Sequence, residues 1–187
     1  MTQIYYVRHA EPNYRNHDDA ARELSPRGQA DCQLVTDFLL DKGIDVILSS
    51  PYRRAVDTLR PFAESVRLPI HHVADFRERK VDSEWIDDFD AFSRRQWADF
   101  DFRLDGGESL REVQARNIAA LQAVLTEHAG QRIAIGGHGT AISAILNHYD
   151  PAFGYAQFDS IRRIMPWIVR MDFEGTAFLG WEGFVLK

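Results

Sequence analysis

The sequence predicts an α/β protein with three layers, in which helices cover both faces of a mostly parallel central sheet. Short apolar runs alternate with longer segments of helical periodicity along most of the chain. Turn and capping residues separate these segments, as expected where strands are joined through helices. No repeat, low-complexity tract or linker interrupts the 187 residues. We therefore expect a single domain over 1–187.

The first half of the chain contains three predicted strands and two predicted helices. A helix over about 26–41 begins at Ser25-Pro26, because serine can cap a helix and proline suits its first position. Ser50-Pro51 repeats this signal and predicts a second helix over about 52–66. The strands are the apolar runs 4–7, 45–49 and 69–73.

The segment 82–105 is unusually rich in aromatic residues and aspartate. Its apolar spacing predicts one or two short helices, and it is too aromatic for a linker. Two interpretations stay open. The segment is a lid-like insertion that forms one wall of a site, or its aromatic side chains form a satellite core.

The second half continues the alternation. Ser109 and Glu112 form a capping box that begins an amphipathic helix over about 109–128. A turn at Glu174-Gly175 predicts a hairpin between the last two strands. The remaining predicted elements are a strand over 132–135, helices over 140–147 and near 153–161, and strands over 168–173 and 177–181.

Composition limits the classes of function. The net charge of −6 argues against a general nucleic-acid binder, which normally carries a basic face. Cys32 is the single cysteine, so no internal disulfide can form and a reducing compartment is expected. We find no signal peptide and no apolar run near the ~20 residues that a membrane helix needs. A cytoplasmic enzyme without membrane contact is the resulting expectation.

Cationic side chains recur where predicted strands end. Arg8-His9 follows the first strand, and Arg53 and Arg54 lie in the first turn of the helix after the second. A third group, Gly136-Gly137-His138-Gly139, follows the strand 132–135. Ligands of open α/β sheets bind beyond the carboxyl ends of strands, and helix N-termini favour anions. An Arg-His pair alone is usually a solvated loop, and Asp57 could pair with either arginine, but the three groups together indicate a phosphate site.

Together these residues resemble the histidine phosphatase superfamily, which has the phosphoglycerate mutase-like fold. The similarity covers nearly the whole chain. Its matching segments are Arg8-His9 with Glu11, Leu24-Ser25-Pro26-Arg27-Gly28, Ser49-Ser50-Pro51-Tyr52-Arg53-Arg54-Ala55, Phe76-Arg77-Glu78, Gly107-Glu108-Ser109 with Arg116, and Gly137-His138-Gly139. The alignment selects Arg54, not Arg53, as the phosphate ligand.

Three positions depart from the family pattern. Ala10 replaces the glycine after the histidine, and Pro12 replaces a serine or threonine. Arg15 stands at the place of the loop asparagine, which Asn13 or Asn16 can substitute. The Trp-Glu-Gly pattern that follows the family's proton donor is also absent, which makes Glu84 a rival of Glu78.

The resemblance implies a phosphomonoesterase that works through a phosphohistidine. His9 is the expected nucleophile, and Arg8, Arg54 and His138 are expected to hold the phosphate oxygens. Glu78 is the expected proton donor. The expected partner is a small-molecule phosphate ester, and Asn13 and Gly139 are expected to bind it. A homodimer is left open.

No cofactor is expected, because no histidine spacing fits a metal site; His71 and His72 are adjacent and point apart on a strand. Two alternatives to a phosphatase remain. The chain is a cofactor-dependent mutase of the phosphoglycerate type, or it is a phospho-ligand-binding module without catalysis.

Overall fold

One six-stranded sheet forms the centre of the molecule. The computed structural model describes residues 1–186; Lys187, the last residue of the predicted domain, lies outside them. The strands are β1 (Thr2–Arg8), β2 (Val46–Ser49), β3 (Ile70–His72), β4 (Arg132–Gly137), β5 (Trp167–Glu174) and β6 (Ala177–Val185). Their order is β3-β2-β4-β1-β5-β6, and only β5 runs against the others. The mostly parallel sheet is therefore confirmed, as is the hairpin of the last two strands.

Six α-helices cover the sheet, and β1 shows how its two faces are divided. The helices are α1 (Pro26–Leu39), α2 (Arg53–Val66), α3 (Phe89–Ala98), α4 (Leu110–Glu127), α5 (Gly139–Tyr149) and α6 (Tyr155–Ile161). Tyr5 and Val7 of β1 pack among side chains of α1 and α2, whereas Ile4 and Tyr6 pack with those of α3 to α6. Alternate residues of a strand point to opposite faces, so these two clusters confirm the three layers. No helix within residues 1–186 is both long and apolar enough to cross a bilayer.

The prediction for the start of α2 is wrong in one respect. The residue that caps α2 is Tyr52, which makes no side-chain capping bond, and the helix begins at Arg53. Ser50, the predicted cap, instead lies fully buried with its hydroxyl 2.8 Å from His138 Nε2. A serine before a proline resembles a cap in the sequence, but tertiary contact with His138 uses this hydroxyl.

Strand β4 also extends further than expected, because Gly136 and Gly137 continue its ladder. A Cβ on Gly136 would lie 2.6 Å from Ser49 Oγ and 2.9 Å from Leu59 Cδ1. This glycine therefore allows helix α2 to pack closely on the sheet, rather than allowing a ligand to approach the backbone.

The segment 82–105 contains one helix, α3, and part of it belongs to the core. Trp97 is buried, and its ring lies 6.5 Å from that of Phe153 and 5.4 Å from that of Phe158. Trp85 is different, because it is 56% exposed and stacks on His17 with a ring separation of 4.3 Å. The C-terminal end of the segment thus contributes to an aromatic core, whereas its N-terminal end makes a surface contact with His17, and the lid-like role stays a prediction.

Candidate active site

The two histidines meet because β1 and β4 are neighbours in register. Arg8 pairs with Gly137 across the two strands, and the backbone N–H of His9 donates to the carbonyl oxygen of Gly137 at 3.1 Å. His9 and His138, the next residues of each strand, therefore leave the sheet side by side. Their ring centroids are 5.3 Å apart, and the Tyr52 ring lies 5.3 Å from the other side of His138.

His9 has a defined tautomer. Its Nδ1 lies 2.8 Å from the carbonyl oxygen of Ala10, which can only accept, so Nδ1 carries the proton. The Nε2 atom of the neutral ring then keeps its lone pair. Burial, followed by the nearby guanidinium groups of Arg54 and Arg8, holds the pKa of His9 well below its ordinary value of 6.5. The ring is consequently neutral and nucleophilic at Nε2 near neutral pH.

His138 is fully buried and is held through Ser50. The hydroxyl oxygen of Ser50 accepts from the backbone N–H of Tyr52 at 3.2 Å and lies 2.8 Å from His138 Nε2. Its own proton can then be donated to Nε2, which leaves the ring proton on Nδ1. Within residues 1–186 this Nδ1 has no hydrogen-bond partner. Burial first, and then Arg54, lower the pKa of His138 well below its ordinary value.

The Arg8 guanidinium is held by the backbone that follows α6. Its Nη1 donates to the carbonyl oxygens of Ile161 (2.8 Å) and Ile164 (3.0 Å), and its Nη2 donates to that of Arg162 (2.8 Å). Nε, by contrast, is buried without a partner in the described chain. A Cβ on Gly139 would lie 3.0 Å from both Cζ and Nε of Arg8, so a larger residue here would require the guanidinium to shift by a few tenths of an ångström.

Of the two neighbouring arginines, Arg54 faces the site. Its side chain is 3% exposed, whereas that of Arg53 is 59% exposed and pairs with Asp57 at 3.3 Å. Arg54 Nη1 donates to the backbone carbonyl of Asp19, and its Nη2 lies 3.0 Å from the Asp19 carboxylate. As in Arg8, Nε is buried and without a partner among residues 1–186.

The carboxylate of Glu78 lies at the N-terminus of α5, where we expected an anionic ligand to bind. Its carboxylate accepts from the backbone N–H groups of Thr140 (3.0 Å), Ala141 (3.1 Å) and Arg79 (2.8 Å). The free N–H groups of α5, which we expected to serve an anionic ligand, therefore bind Glu78. Glu84, the rival proton donor, is exposed.

Arg116 holds the loop that carries Glu78. Its Nη1 donates to the carbonyl oxygens of Asp75 (2.6 Å) and Arg77 (2.9 Å), and its Nη2 donates to that of Glu78 at 3.2 Å. The Glu108 carboxylate accepts from Arg116 Nε at 2.8 Å and neutralises this buried cation. The segment with Gly107, Glu108 and Arg116 thus positions Glu78 by hydrogen bonds to the backbone of its loop.

Arg22 is a cation of the site that the sequence reasoning missed. It is 8% exposed, its Nε donates to the carbonyl oxygen of Asn16 at 2.7 Å, and its Nη1 lies 3.3 Å from the same Asp19 oxygen that Arg54 contacts. Its charge contributes to lowering the pKa of His9. The available signal is an arginine shortly before the Leu24-Ser25 helix start, but this arginine lies in the polar stretch 13–23, which has no periodicity to show which side chains turn inward.

Asn13 and Gly139, the two predicted substrate-binding residues, both contact other protein groups in the structure. Asn13 Nδ2 donates to Glu23 at 2.5 Å, while its Oδ1 accepts from the Arg15 N–H at 3.1 Å. Asn16, the other candidate, also donates to Glu23. Gly139 is buried against Arg8. Their substrate-binding roles stay predictions. Residues 1–186 contain no group of three or more histidine, cysteine, aspartate or glutamate side chains placed to hold a metal ion.

The sequence of this chain matches the family model of the histidine phosphatase superfamily (branch 1) over residues 4–176. The chain belongs to the histidine phosphatase superfamily. The resemblance inferred from its motifs is thereby confirmed, and the geometry of His9, Arg8, Arg54 and His138 can be read as that of a superfamily member.

Relatives of this chain carry both phosphatase and mutase names. The chain is 27% identical over 151 residues to an uncharacterized phosphatase, PhoE, from Bacillus subtilis, covering 78% of this chain and 76% of that one. It is 27% identical over 197 residues to a probable phosphoglycerate mutase, GpmB, from Klebsiella pneumoniae, covering 97% and 90%. As a histidine phosphatase, the protein is accordingly an enzyme of the phosphatase or mutase type.

Solved structures confirm the phosphoglycerate mutase-like fold. Bacillus stearothermophilus YhfR superposes with a TM-score of 0.77 at 19% identity, over 96% of this chain and 95% of that one. Phosphoserine phosphatase from Entamoeba histolytica, in complex with 3-phosphoglyceric acid, gives a TM-score of 0.78 at 18% identity, over 96% and 94%.

The arrangement provides a nucleophile beside an anion-binding cradle. His9 offers a free Nε2, and each of its neighbours Arg8, Arg54 and His138 has one buried nitrogen without a partner in the described chain, namely Arg8 Nε, Arg54 Nε and His138 Nδ1. Buried donors without partners are costly, so a fold that keeps three of them near one imidazole is suited to a ligand rich in acceptor oxygens. A phosphate group has this chemistry.

Proposed function

We propose that this histidine phosphatase is a metal-independent phosphomonoesterase that hydrolyses a small organic phosphate through a phosphohistidine. The observation that carries the proposal is that Arg8, Arg54 and His138 surround His9, whose Nε2 is free. The two guanidinium groups lie close enough to lower the pKa of His9, and the His138 ring centroid is 5.3 Å from that of His9. Each of the three has a buried nitrogen without a partner in the described residues. Arginine forks fit phosphate oxygens in a fixed geometry and offset their charge.

The first chemical step is attack of His9 Nε2 on phosphorus. A nitrogen–phosphorus bond forms, the bond from phosphorus to the ester oxygen breaks, and the electron pair goes to that oxygen. Glu78 supplies the proton that turns this oxygen into an alcohol. Its Oε1 accepts two N–H groups but its Oε2 accepts only one, so Oε2 retains a free position for a proton.

The second step returns the enzyme to its starting state. Glu78, now ionised, takes a proton from water, whose oxygen attacks phosphorus as the nitrogen–phosphorus bond breaks. The depressed pKa of His9 favours this cleavage as well as the first attack, because the leaving imidazole and the attacking imidazole are both neutral.

A mutase is the second candidate, supported by the mutase names of relatives such as GpmB. It differs from a phosphatase in keeping a bisphosphorylated intermediate away from water. We favour the phosphatase because a relative named as a phosphatase, PhoE, and solved structures of phosphatases share this chain's fold over most of its length. A module that only binds phosphate would not need His9, Glu78 and His138 together with both arginines.

A screen of phosphomonoesters with and without a bisphosphoglycerate primer tests the proposal. Phosphate release without primer, unaffected by EDTA, is expected of the metal-independent phosphatase. Isomerisation that requires primer would assign the mutase, and phosphate binding without either reaction would assign the binding module.

The proposed phosphatase function also indicates a type of binding partner and a cellular location. The partner is a small phosphate ester rather than nucleic acid or membrane, and a homodimer stays open. The cytoplasm is the proposed location, on the basis that Cys32 is alone and cannot form an internal disulfide.

A further inference from the structure

Asp19 holds Arg54 through two different oxygen atoms. Its backbone carbonyl accepts from Arg54 Nη1, and its carboxylate Oδ1 lies 3.0 Å from Arg54 Nη2. Both contacts are to the outer end of the guanidinium, and Nε at the inner end is left buried without a partner in the described residues. Asp19 thus binds the Nη end of the Arg54 guanidinium, and the Nε–H group is left for a ligand.

Arg8 is arranged in the same way by entirely different residues. Three backbone carbonyls accept from its Nη1 and Nη2, and its Nε is again left over. Arg8 ends strand β1 and Arg54 lies in the first turn of α2, yet each is held at Nη and free at Nε. This shared pattern indicates that the Nη contacts orient the two guanidinium groups rather than compete with a ligand for them.

Asp19 also lies between two buried cations of like charge. Its Oδ1 is 3.0 Å from Arg54 Nη2 and 3.3 Å from Arg22 Nη1. The Asp19 side chain is 41% exposed, but those of Arg22 and Arg54 are only 10% and 3% exposed. Without this carboxylate the two guanidinium groups would repel one another, and a mostly buried charge left without compensation is unfavourable.

The turn that carries Asp19 is fixed to the start of α2. Asp18 Oδ1 accepts from the N–H groups of Ala20 and Ala21, both at 3.0 Å, and the N–H of Arg53 donates to the carbonyl oxygen of Ala20 at 3.0 Å. Asp19 is therefore held in place next to Arg54 by backbone contacts that do not involve its own carboxylate.

We propose that Asp19 is a positioning residue, whose carboxylate orients Arg54 and compensates the charge of Arg22, so that Arg54 presents its free Nε–H to the substrate phosphate. This inference rests on the proposed function, because it concerns the same phosphate cradle. The opposite role, in which Asp19 competes with phosphate for Arg54, makes the opposite prediction for phosphate affinity.

The test compares wild-type protein with Asp19→Asn, which keeps the backbone carbonyl and the side-chain size but removes the charge. Calorimetry with inorganic orthophosphate and steady-state kinetics with p-nitrophenyl phosphate are the two measurements. Hydrogen bonds to charged groups contribute more to the free energy of binding than neutral ones. If Arg54 is no longer oriented, we therefore expect the dissociation constant of orthophosphate and KM to rise together by about tenfold or more. Unchanged or tighter orthophosphate binding overturns the inference.

Asp57→Asn is the matched control, because Asp57 pairs with Arg53 and Arg60 on the outer face of α2. It removes an aspartate–arginine pair from the same helix and is expected to leave orthophosphate affinity unchanged. A double-mutant cycle adds a readout that a merely structural role would not give. In an Arg54→Lys background, Asp19→Asn should change kcat/KM far less than in wild type, and additive effects reject positioning through Arg54.

The two proposals fail separately. If the wild type binds orthophosphate but hydrolyses no phosphomonoester, the proposed function is wrong and calorimetry still decides on Asp19. If the wild type hydrolyses esters and Asp19→Asn binds orthophosphate as the wild type does, only the inference about Asp19 is wrong. A wild-type protein that neither binds orthophosphate nor turns over overturns both.

Discussion

The Nδ1 atom of His9 donates a hydrogen bond to the carbonyl oxygen of Ala10, 2.8 Å away. Ala10 is itself fully buried, and its N–H donates to the hydroxyl of Thr58 on α2 at 3.0 Å. The residue that replaces the family glycine therefore fits without disturbing the nucleophile. The backbone at Ala10 determines which nitrogen of His9 is free.

Replacement of His9 by alanine should abolish turnover, because Nε2 is the atom that we propose attacks phosphorus. It should also abolish the acid-labile phosphate label that the wild type acquires during turnover. Rapid quench with a radiolabelled phosphomonoester measures both. His71→Ala is the control, since His71 is exposed on the edge strand β3. Turnover that survives in His9→Ala rejects this nucleophile.

The acid limb of the pH–rate profile should lie well below pH 6.5. Burial and the cations of Arg54 and Arg8 depress the pKa of His9, so the attacking neutral form persists as the pH falls. Arg22→Met removes one of these cations and should raise the pKa of His9, whereas Arg53→Met, on the exposed face, should not change it. NMR titration of the His9 ring protons measures the shift. An ordinary pKa near 6.5 in the wild type contradicts the burial argument.

Glu78→Gln should slow hydrolysis of alkyl phosphates by about 10²–10⁴, because their leaving oxygen needs a proton. Hydrolysis of p-nitrophenyl phosphate, whose leaving group is a much weaker base, should slow less. Steady-state kcat/KM on the two substrates measures this difference. Glu84→Gln serves as the control, since Glu84 is exposed. Equal losses on both substrates would instead point to Glu84 as the donor or to a structural effect at α5.

Gly139→Ala should displace Arg8, because the new Cβ would meet Cζ and Nε of the guanidinium at 3.0 Å. Small displacements of a positioned catalytic group cost up to about 100-fold in rate, so kcat/KM should fall by a factor in that range. Gly180→Ala is the matched control, since a Cβ there has no atom within 4 Å. Wild-type kcat/KM in Gly139→Ala would show that Arg8 needs no such space.

Most of the fold could be predicted because strands, caps and turns are local features. Ser109 and Glu112, for example, form the predicted capping box at the start of α4. His9, Arg54 and His138 could be found for a related reason, since each follows the end of a strand and matches a family motif. Parallel strands then bring these positions together at one edge of the sheet.

Asp19 and Arg22 could not be found in the same way. They lie in a polar loop without periodicity, and their places depend on contacts such as Arg22 with Asn16 and Ala20 with Arg53. Ser50 was misinterpreted because a cap and a buried partner of His138 look alike in sequence. The acceptors of Arg8 are backbone carbonyls more than 150 residues away, which side-chain identity does not reveal.

The position of β1 between β4 and β5 has a consequence for biosynthesis. This strand is translated before both of its neighbours, which follow more than 120 residues later. A ribosome-bound chain that lacks residues beyond 130 has neither His138 nor the carbonyls that hold Arg8, so it has no phosphate cradle. Its apolar β1 also keeps two unpaired edges during that time, which favours recognition by chaperones and makes a stalled chain prone to aggregate.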